Sequence, residues 1–230
     1  MKTICVIPAR GGSKRIPKKN IKNFHGKPLI AWSIECAIAS GLFENVYIST
    51  DNQEIAEICS KFGALIPFMR PNEISSDFTS DKEVISHFLN WMKESKLEAD
   101  ILCYLYATAP FITTKTLIGC NEKLLKTNAS EVFTVTSFPY PVFRALKKNQ
   151  DNTLSYMWDK YANSRSQDLP ELFHDAGQCY FFNLKANDLY SKRVGYEIDR
   201  MSCQDIDTLE DFNAAEKLFS IINYKKIKGL

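Results

Sequence analysis

The chain has almost no net charge and no long apolar run. Its 29 Lys and Arg against 27 Asp and Glu leave +2 over 230 residues, too little for a nucleic-acid footprint. No stretch reaches the about 18 consecutive apolar residues of a membrane-spanning helix. The residues from Arg10 to Lys27 are too polar for a signal-peptide core. Neither a nucleic acid nor a membrane is therefore an expected partner. The seven cysteines, at 5, 36, 59, 103, 120, 179 and 203, are odd in number and form no C-x-x-C. That excludes a disulfide framework and a zinc ligand set. Cys5 and Cys103 sit in apolar runs and read as core packing, and a reducing cytoplasm is the compartment that fits. There is no internal repeat and no low-complexity segment. Both the G-x-x-x-x-G-K-[ST] and the G-x-G-x-x-G spacings are missing. What remains is an ordinary globular composition, 45% hydrophobic and 24% charged, long enough for one α/β domain over residues 1–230.

Acids are also missing at the start. None precedes Glu35, whereas eight basic residues fall from Lys2 to Lys27. The apolar segment Lys2 to Ile7 reads as a buried first strand. After it the chain turns through Gly11-Gly12 inside the stretch Pro8-Ala9-Arg10-Gly11-Gly12-Ser13-Lys14-Arg15-Ile16-Pro17-Lys18-Lys19-Asn20. Free backbone N–H groups of a Gly-rich turn cradle phosphates, and Lys and Arg supply the counter-charge. Arg10, Lys14 and Lys19 are the cations suited to a triphosphate, while Arg15 and Lys18 also read as solvated side chains. A solvated basic face is disfavoured by the strand and the paired glycines. A nucleic-acid patch is disfavoured by the low net charge and the absence of interleaved aromatics.

Periodicity then places the elements. Pro28 to Ser40 reads as a helix with Pro in its first turn, Ile30, Ile34, Ala37 and Ile38 on one face, and Gly41 closing it. Val46 to Thr50 is a strand. Asp51-x-x-Glu54 resembles a capping box for a helix ending near Gly63. Leu65 to Met69 is a third strand candidate. Ser80-x-x-Glu83 opens a helix carrying Val84, Ile85, Phe88, Leu89 and Met92. Asp100 to Tyr106 is a strand, Thr114 to Lys126 a helix, and Glu131 to Thr136 a strand. This alternation implies β-α-β units and a mostly parallel sheet, with ligands beyond the carboxyl ends of the strands. After Ser137 the pattern changes. Val142 to Lys148 and Thr153 to Met157 read as a hairpin, Tyr161 to Asp175 as irregular, and Gln178 to Leu184 as strand. Residues 137–175 are thus an excursion from the sheet, either a lid or a dimer arm. Thr208 to Ile222 is the last helix, with Phe212, Ala215, Leu218 and Phe219 inward, and the basic tail from Tyr224 reads as frayed.

Two further constellations carry chemistry. In the extended Asp205-Ile206-Asp207, residues i and i+2 point the same way, so both carboxylates can face one Mg²⁺ ion. The competing reading is that Asp207 caps the last helix. The second is the polar run Ser164-Arg165-Ser166-Gln167-Asp168, followed by His174-Asp175-Ala176-Gly177-Gln178. Arg165 can grip a carboxylate in two places, and Gln167, His174, Asp175 and Gln178 offer donors and acceptors for a polyhydroxylated ligand. A plain solvated loop, with His174 a structural histidine bonded to Asp175 or the backbone, fits the same residues.

The loop from Pro8 to Asn20 closely resembles the signature of the CMP-sugar-acid synthetases, which activate nonulosonic acids with CTP. The resemblance runs from about Lys2 to Phe219. It implies a Rossmann-like α/β fold of the nucleotide-diphospho-sugar transferase type, and a homodimer built through the arm at 137–175. By the same resemblance, Ala9, Arg10, Gly11, Ser13 and Lys14 hold the nucleotide, with Lys14 on the β- and γ-phosphates. Arg10, Lys19 and Asn20 would meet the reacting α-phosphate, and Arg70 would stand near the cytosine, where a surface arginine is the alternative. Asp205, Asp207, Thr208, Asp211 and Phe212 match the D-x-D followed by T-x-x-D-F that supplies the family's metal ligands, making Mg²⁺ the expected cofactor. Tyr106-Ala107-Thr108-Ala109-Pro110-Phe111 and the 164–178 run resemble the enzymes for pseudaminic acid. Those for sialic and legionaminic acids more often read Q-P-T-S-P, so Tyr106 stands where their glutamine would be. Tyr106 and Thr108 join Arg165, Gln167, His174, Asp175 and Gln178 as expected sugar contacts. Cys179-Tyr180-Phe181-Phe182 departs from the F-Y-W-G of the pseudaminate enzymes. The expected activity is CMP transfer from CTP to the anomeric hydroxyl of a nine-carbon acidic sugar. N-acetylneuraminic and legionaminic acids are the alternative sugars, and a non-catalytic nucleotide sensor is the alternative class.

Overall fold

The computed structural model describes residues 1–222, so the basic tail from Tyr224 lies outside the described residues. The first strand, β1 (Thr3–Pro8), is buried along nearly its whole length, as expected of a strand covered on both faces. The chain then runs through the basic loop and a two-stranded ribbon, β2 (Asn23–Phe24) and β3 (Lys27–Pro28), into helix α1 (Leu29–Ala39). Strand β4 (Val46–Ser49), helix α2 (Gln53–Lys61) and helix α3 (Asp81–Glu94) follow. Next come strand β5 (Ile101–Leu105), helix α4 (Thr114–Thr127) and strand β6 (Glu131–Ser137). A small hairpin, β7 (Leu146–Lys148) with β8 (Leu154–Tyr156), stands apart from the main sheet. Strands β9 (Phe173–Asn183) and β10 (Arg193–Glu197) and helix α5 (Leu209–Ile222) complete the described chain.

The main sheet has the order β10-β6-β9-β5-β1-β4. Strand β1 pairs parallel with β4 and β5, and β10 pairs parallel with β6. Strand β9 alone among the six runs antiparallel to its neighbours, β5 and β6. The sheet is therefore mixed and mostly parallel, as the β-α-β alternation implied. From β1 the chain crosses through α1 to β4 on one side, then returns to β5 on the other. That reversal opens a crevice at the carboxyl ends of β1 and β5, the usual ligand position in such sheets. One apolar cluster packs α1 and α4 onto one face around Cys5, Ile34, Cys103 and Leu117. A second packs α3 onto the other around Val6, Phe88 and Tyr104. A third seats α5 on Phe24, Leu29 and Phe111 through Phe212, Ala215 and Phe219, with Leu218 partly buried beside them. Among the described residues no helix is long and apolar enough to cross a membrane.

Several local expectations are corrected. Pro28 is not in the first turn of α1 but at its N-cap, with an extended ψ of 140°, because it is still paired to Asn23 in the ribbon. Ile38 lies at the rim of α1 and is 47% exposed, unlike buried Ile30, Ile34 and Ala37. The cap of α2 is Asn52, whose side chain accepts from the Ile55 N–H, and not Asp51; Asp51 is engaged by the basic loop instead. Leu65 to Met69 forms only isolated bridges to Tyr47 and Thr50, since Pro67 has no N–H to continue a ladder. Strand β9 begins at Phe173, so 173–175 pair with Val135–Ser137 and are not irregular. The capping box Ser80/Glu83 is present as read; the hairpin after Ser137 is present with a shorter first strand, Val142–Arg144 forming a 3-10 turn before it.

Candidate active site

The basic loop is fixed by hydrogen bonds of its own backbone, and the Gly11 and Ser13 N–H groups expected to be free are used within the protein. The Gly11 N–H donates to Asp51 Oδ1 at 2.8 Å, and a Cβ on Gly11 would meet the Asn52 side chain at 2.8 Å. Glycine is therefore required where the loop passes the start of α2. Buried Asn20 donates from Nδ2 to the Arg10 carbonyl at 3.0 Å, tying the end of the loop to its beginning. Ala9 is buried and its N–H donates to Ser49 O at 2.9 Å. Lys18 adopts a left-handed φ of 55° and points to Glu54 at 2.6 Å.

The remaining cations turn inward. Arg10, Ser13, Lys14, Lys19, Asn20, Arg70, Tyr106 and Thr108, all expected site residues, line one cavity of about 510 Å³ together with Arg15 and Asp207. Lys19 Nζ donates to the Ile206 carbonyl at 2.6 Å and lies 3.4 Å from Asp207 Oδ1. Arg15, expected to be solvated, reaches Asp207 at 2.9 Å. Arg10 and Lys14 both grasp Asp77, at 2.5 and 2.7 Å. Arg70 is 5% exposed and donates from Nε to Ser75 Oγ at 3.1 Å. It is a buried wall of the cavity and not a surface arginine. Burial lowers its guanidinium pKa, and the charge of Asp51 opposes that.

The D-x-D carboxylates are not spent on capping the last helix, although Asp207 is paired with Arg15 and Lys19. Thr208 Oγ1 accepts from the Asp211 N–H at 3.2 Å and the Asp211 carboxylate takes the Thr208 N–H at 2.7 Å. This reciprocal pair caps α5, so the reading in which Asp207 is the cap does not hold. The Asp205 side chain reaches solvent, yet the protein mass around it and then the charge of Asp207 raise its carboxyl pKa. Asp207 lines the cavity and Asp205 does not; carboxylate oxygens of this kind are a hard donor set that suits Mg²⁺, which takes one or two carboxylates plus phosphate oxygens. No group of three or more His, Cys, Asp or Glu that could hold a metal occurs among the described residues.

A second cavity, of about 440 Å³, shares Asp81, Tyr104 and Tyr106 with the first. Asp81 accepts from both tyrosine hydroxyls, from Tyr104 at 2.7 Å and from Tyr106 through a short bond. Burial and then the Asp81 charge push both phenols well up. On the far side the Tyr180 hydroxyl donates to Asp175 Oδ2 at 2.8 Å, and Arg193 pairs with Glu131, whose side chain is 2% exposed. Of the expected sugar contacts, Tyr106 and Asp175 line this cavity. His174 lines a neighbouring recess with Asp175, its Nδ1 2.8 Å from the Asp175 carbonyl. Buried Gln178 spends its amide on the Ser202 carbonyl. Arg165 pairs with Asp168 at 2.7 Å on the arm, and neither Arg165 nor Gln167 lines these cavities. Asp77, Asp81 and Arg193 are not singled out by the sequence, whereas Tyr180 falls in the 179–182 stretch already noted there. Asp81 was masked as an ordinary acid in the first turn of α3, and Arg193 by a strand with glycine at its centre.

Comparison with known proteins follows the same lines. The family described as Cytidylyltransferase matches residues 4–228. A pseudaminic acid cytidylyltransferase from Campylobacter jejuni is 41% identical over 227 residues, 96% of this chain and 97% of that protein. An N-acylneuraminate cytidylyltransferase from Danio rerio is 32% identical over 92% of this chain and 50% of its own length. Among solved structures, a CMP:2-keto-3-deoxy-manno-octonic acid synthetase complexed with CTP superposes with a TM-score of 0.67 at 17% identity, covering 96% of this chain and 99% of its own. That last likeness speaks to the fold.

Proposed function

The chain belongs to the cytidylyltransferase family, and on that premise we propose that it transfers CMP from CTP to the anomeric hydroxyl of pseudaminic acid. The observation that carries this is the joint one: 41% identity over nearly the whole chain to a pseudaminic acid cytidylyltransferase, and loop cations converging with Asp207 in one cavity. In the reaction, the anomeric oxygen forms a bond to the α-phosphorus of CTP. The bond from that phosphorus to the bridging oxygen breaks, and pyrophosphate leaves with the electron pair. The hydroxyl proton passes to solvent.

Charge placement and positioning dominate such transfers. Lys14 holds the β- and γ-phosphates, and Arg10 and Lys19, the latter fixed by the Ile206 carbonyl, face the reacting α-phosphate. Asn20 keeps the loop closed around them through its bond to the Arg10 carbonyl. Arg70 lines the base end. Asp205 and Asp207 would hold Mg²⁺, which when bound neutralises phosphate charge. The sugar extends over Tyr106 toward the second cavity, where Tyr180, Asp175 and Arg193 offer an aromatic floor with charged edges. The arm after Ser137 exposes Tyr140, Leu146, Leu154 and Met157, apolar surface that a second copy would cover. A dimer by light scattering at micromolar concentration is expected, and a monomer contradicts that part. Phosphorus NMR of CTP, Mg²⁺ and pseudaminic acid tests the reaction itself. It should give a new phosphodiester and pyrophosphate in equal amounts; CMP without the diester, or bound but unchanged CTP, contradicts it.

A further inference from the structure

Five cations, Arg10, Lys14, Arg15, Lys19 and Arg70, line one cavity. Arg15 and Lys19 have Asp207. Arg10 and Lys14 have Asp77, which takes one on each carboxylate oxygen, Arg10 Nη1 on Oδ1 at 2.5 Å and Lys14 on Oδ2 at 2.7 Å. Asp77 thus stands where the phosphates of the proposed triphosphate would have to be. The two cations in turn hold its carboxyl below the usual range, by hydrogen bonding from Lys14 and then from Arg10.

The segment that carries it lines the same cavity and is held by few long-range bonds. Between the turn Asn72–Ile74 and the cap of α3 at Ser80, residues 75–79 form no helix or strand. Their bonds are mostly local: the Ser76 N–H donates to Thr79 Oγ1 at 3.1 Å, and the Phe78 N–H to Ser76 Oγ at 3.2 Å. Phe78 is 96% exposed and packs nothing down. Asp77 is therefore held over the cavity by the two ion pairs and a short turn, not by burial.

We propose that Asp77 is an exchangeable counter-anion that occupies Arg10 and Lys14 in the empty enzyme, yields them to the nucleotide phosphates, and reclaims them as pyrophosphate departs. This rests on the reading of the cavity as the triphosphate site. A carboxylate and a phosphate cannot both take the same two cations without like-charge repulsion. Every phosphate that binds must displace Asp77, and Asp77 speeds each one off. It is a positioning residue for product release and takes no part in bond making.

Removing an anion from a binding site normally harms a site that uses it and improves one that it blocks, so the sign of the effect decides. Titration calorimetry with inorganic pyrophosphate and with CTP, each with and without Mg²⁺, would be run on the full chain as wild type, Asp77→Asn, Asp77→Ser and Asp77→Glu. The Asn and Ser variants should bind both probes roughly two- to thirty-fold tighter, the range expected for losing two partly exposed ion pairs. Inhibition by pyrophosphate should strengthen by the same factor, while Asp77→Glu restores the anion and the wild-type affinity. Equal or weaker binding by folded Asn and Ser variants, checked by unchanged melting, overturns the proposal. Weakening seen only with Mg²⁺ does so too, and would make Asp77 a metal ligand. Wild type that binds neither probe would overturn the triphosphate site itself.

Discussion

Lys18 and Lys19 are adjacent, identical in type and equally basic on paper, yet they do different work. Lys19 is 19% exposed in its side chain and fixed between the Ile206 carbonyl and Asp207. Lys18 is 64% exposed and faces Glu54. Lys19→Met should lower kcat about a hundredfold or more, the usual cost of losing one preorganised group that stabilises developing charge. Lys18→Met should leave the rate within about twofold. Steady-state pyrophosphate release measures both, and equal losses would contradict the assignment. The convergence of Arg10, Lys14 and Lys19 on one cavity was legible in the sequence because paired glycines and clustered cations follow the first strand in a recognisable order. Arg15 was not, because its role depends on Asp207, which arrives from the other end of the chain. Asp77 was not, because a carboxylate in a polar turn carries no periodic signal.

Elements were legible wherever one periodicity ruled. Strand β1, helix α3 with its Ser80/Glu83 box and the hairpin after Ser137 all follow from local pattern. Strand β10 did not, and its central residue shows why. A Cβ on Gly195 would lie 2.8 Å from Val135 Cγ2 and 3.1 Å from Cγ1 on the neighbouring strand. Glycine, which local propensity counts against a strand, is imposed by tertiary packing. Gly195→Ala should therefore destabilise the protein by about 1–3 kcal/mol, the range for forcing a methyl group into a packed position. Denaturant unfolding would show it, and an unchanged midpoint would mean that β10 can slide away from β6. The late start assigned to β9 has a similar origin. A register shift against β6 between Phe133 and Val135, and Gly177 at a φ of 60°, interrupt its alternation.

At the scale of the molecule, the two cavities meet at Tyr104, Tyr106 and Asp81, so the parts proposed for nucleotide and sugar are joined by one hydrogen-bonded aromatic wall. This wall sets a response to alkali. Burial raises Tyr104, Tyr106 and Tyr180 above the ordinary phenol value of 10.0. A group whose folded pKa is raised contributes stability that is complete below the unfolded pKa and is lost as pH rises beyond it. Stability should thus fall from about pH 10 upward. Phenolate absorbance should show the buried set, Tyr104, Tyr106 and Tyr180, appearing only with unfolding. Independent titration of the buried tyrosines near pH 10 in the folded protein would contradict this. The fold class could be read from alternating elements, and the reaction class from the loop and D-x-D. The shape of the second cavity could not, because it is assembled from α3, β5, β6, β9 and β10, whose side chains are distant in sequence.

The central claim is one of reaction and substrate together. It is tested most directly by measuring kcat/KM for pyrophosphate release with CTP and Mg²⁺, offering pseudaminic, legionaminic and N-acetylneuraminic acids in parallel. The account predicts turnover with pseudaminic acid, well above the other two. Preference for another sugar would contradict the reading of the second cavity, and CTP binding without release from any of the three would contradict the enzyme.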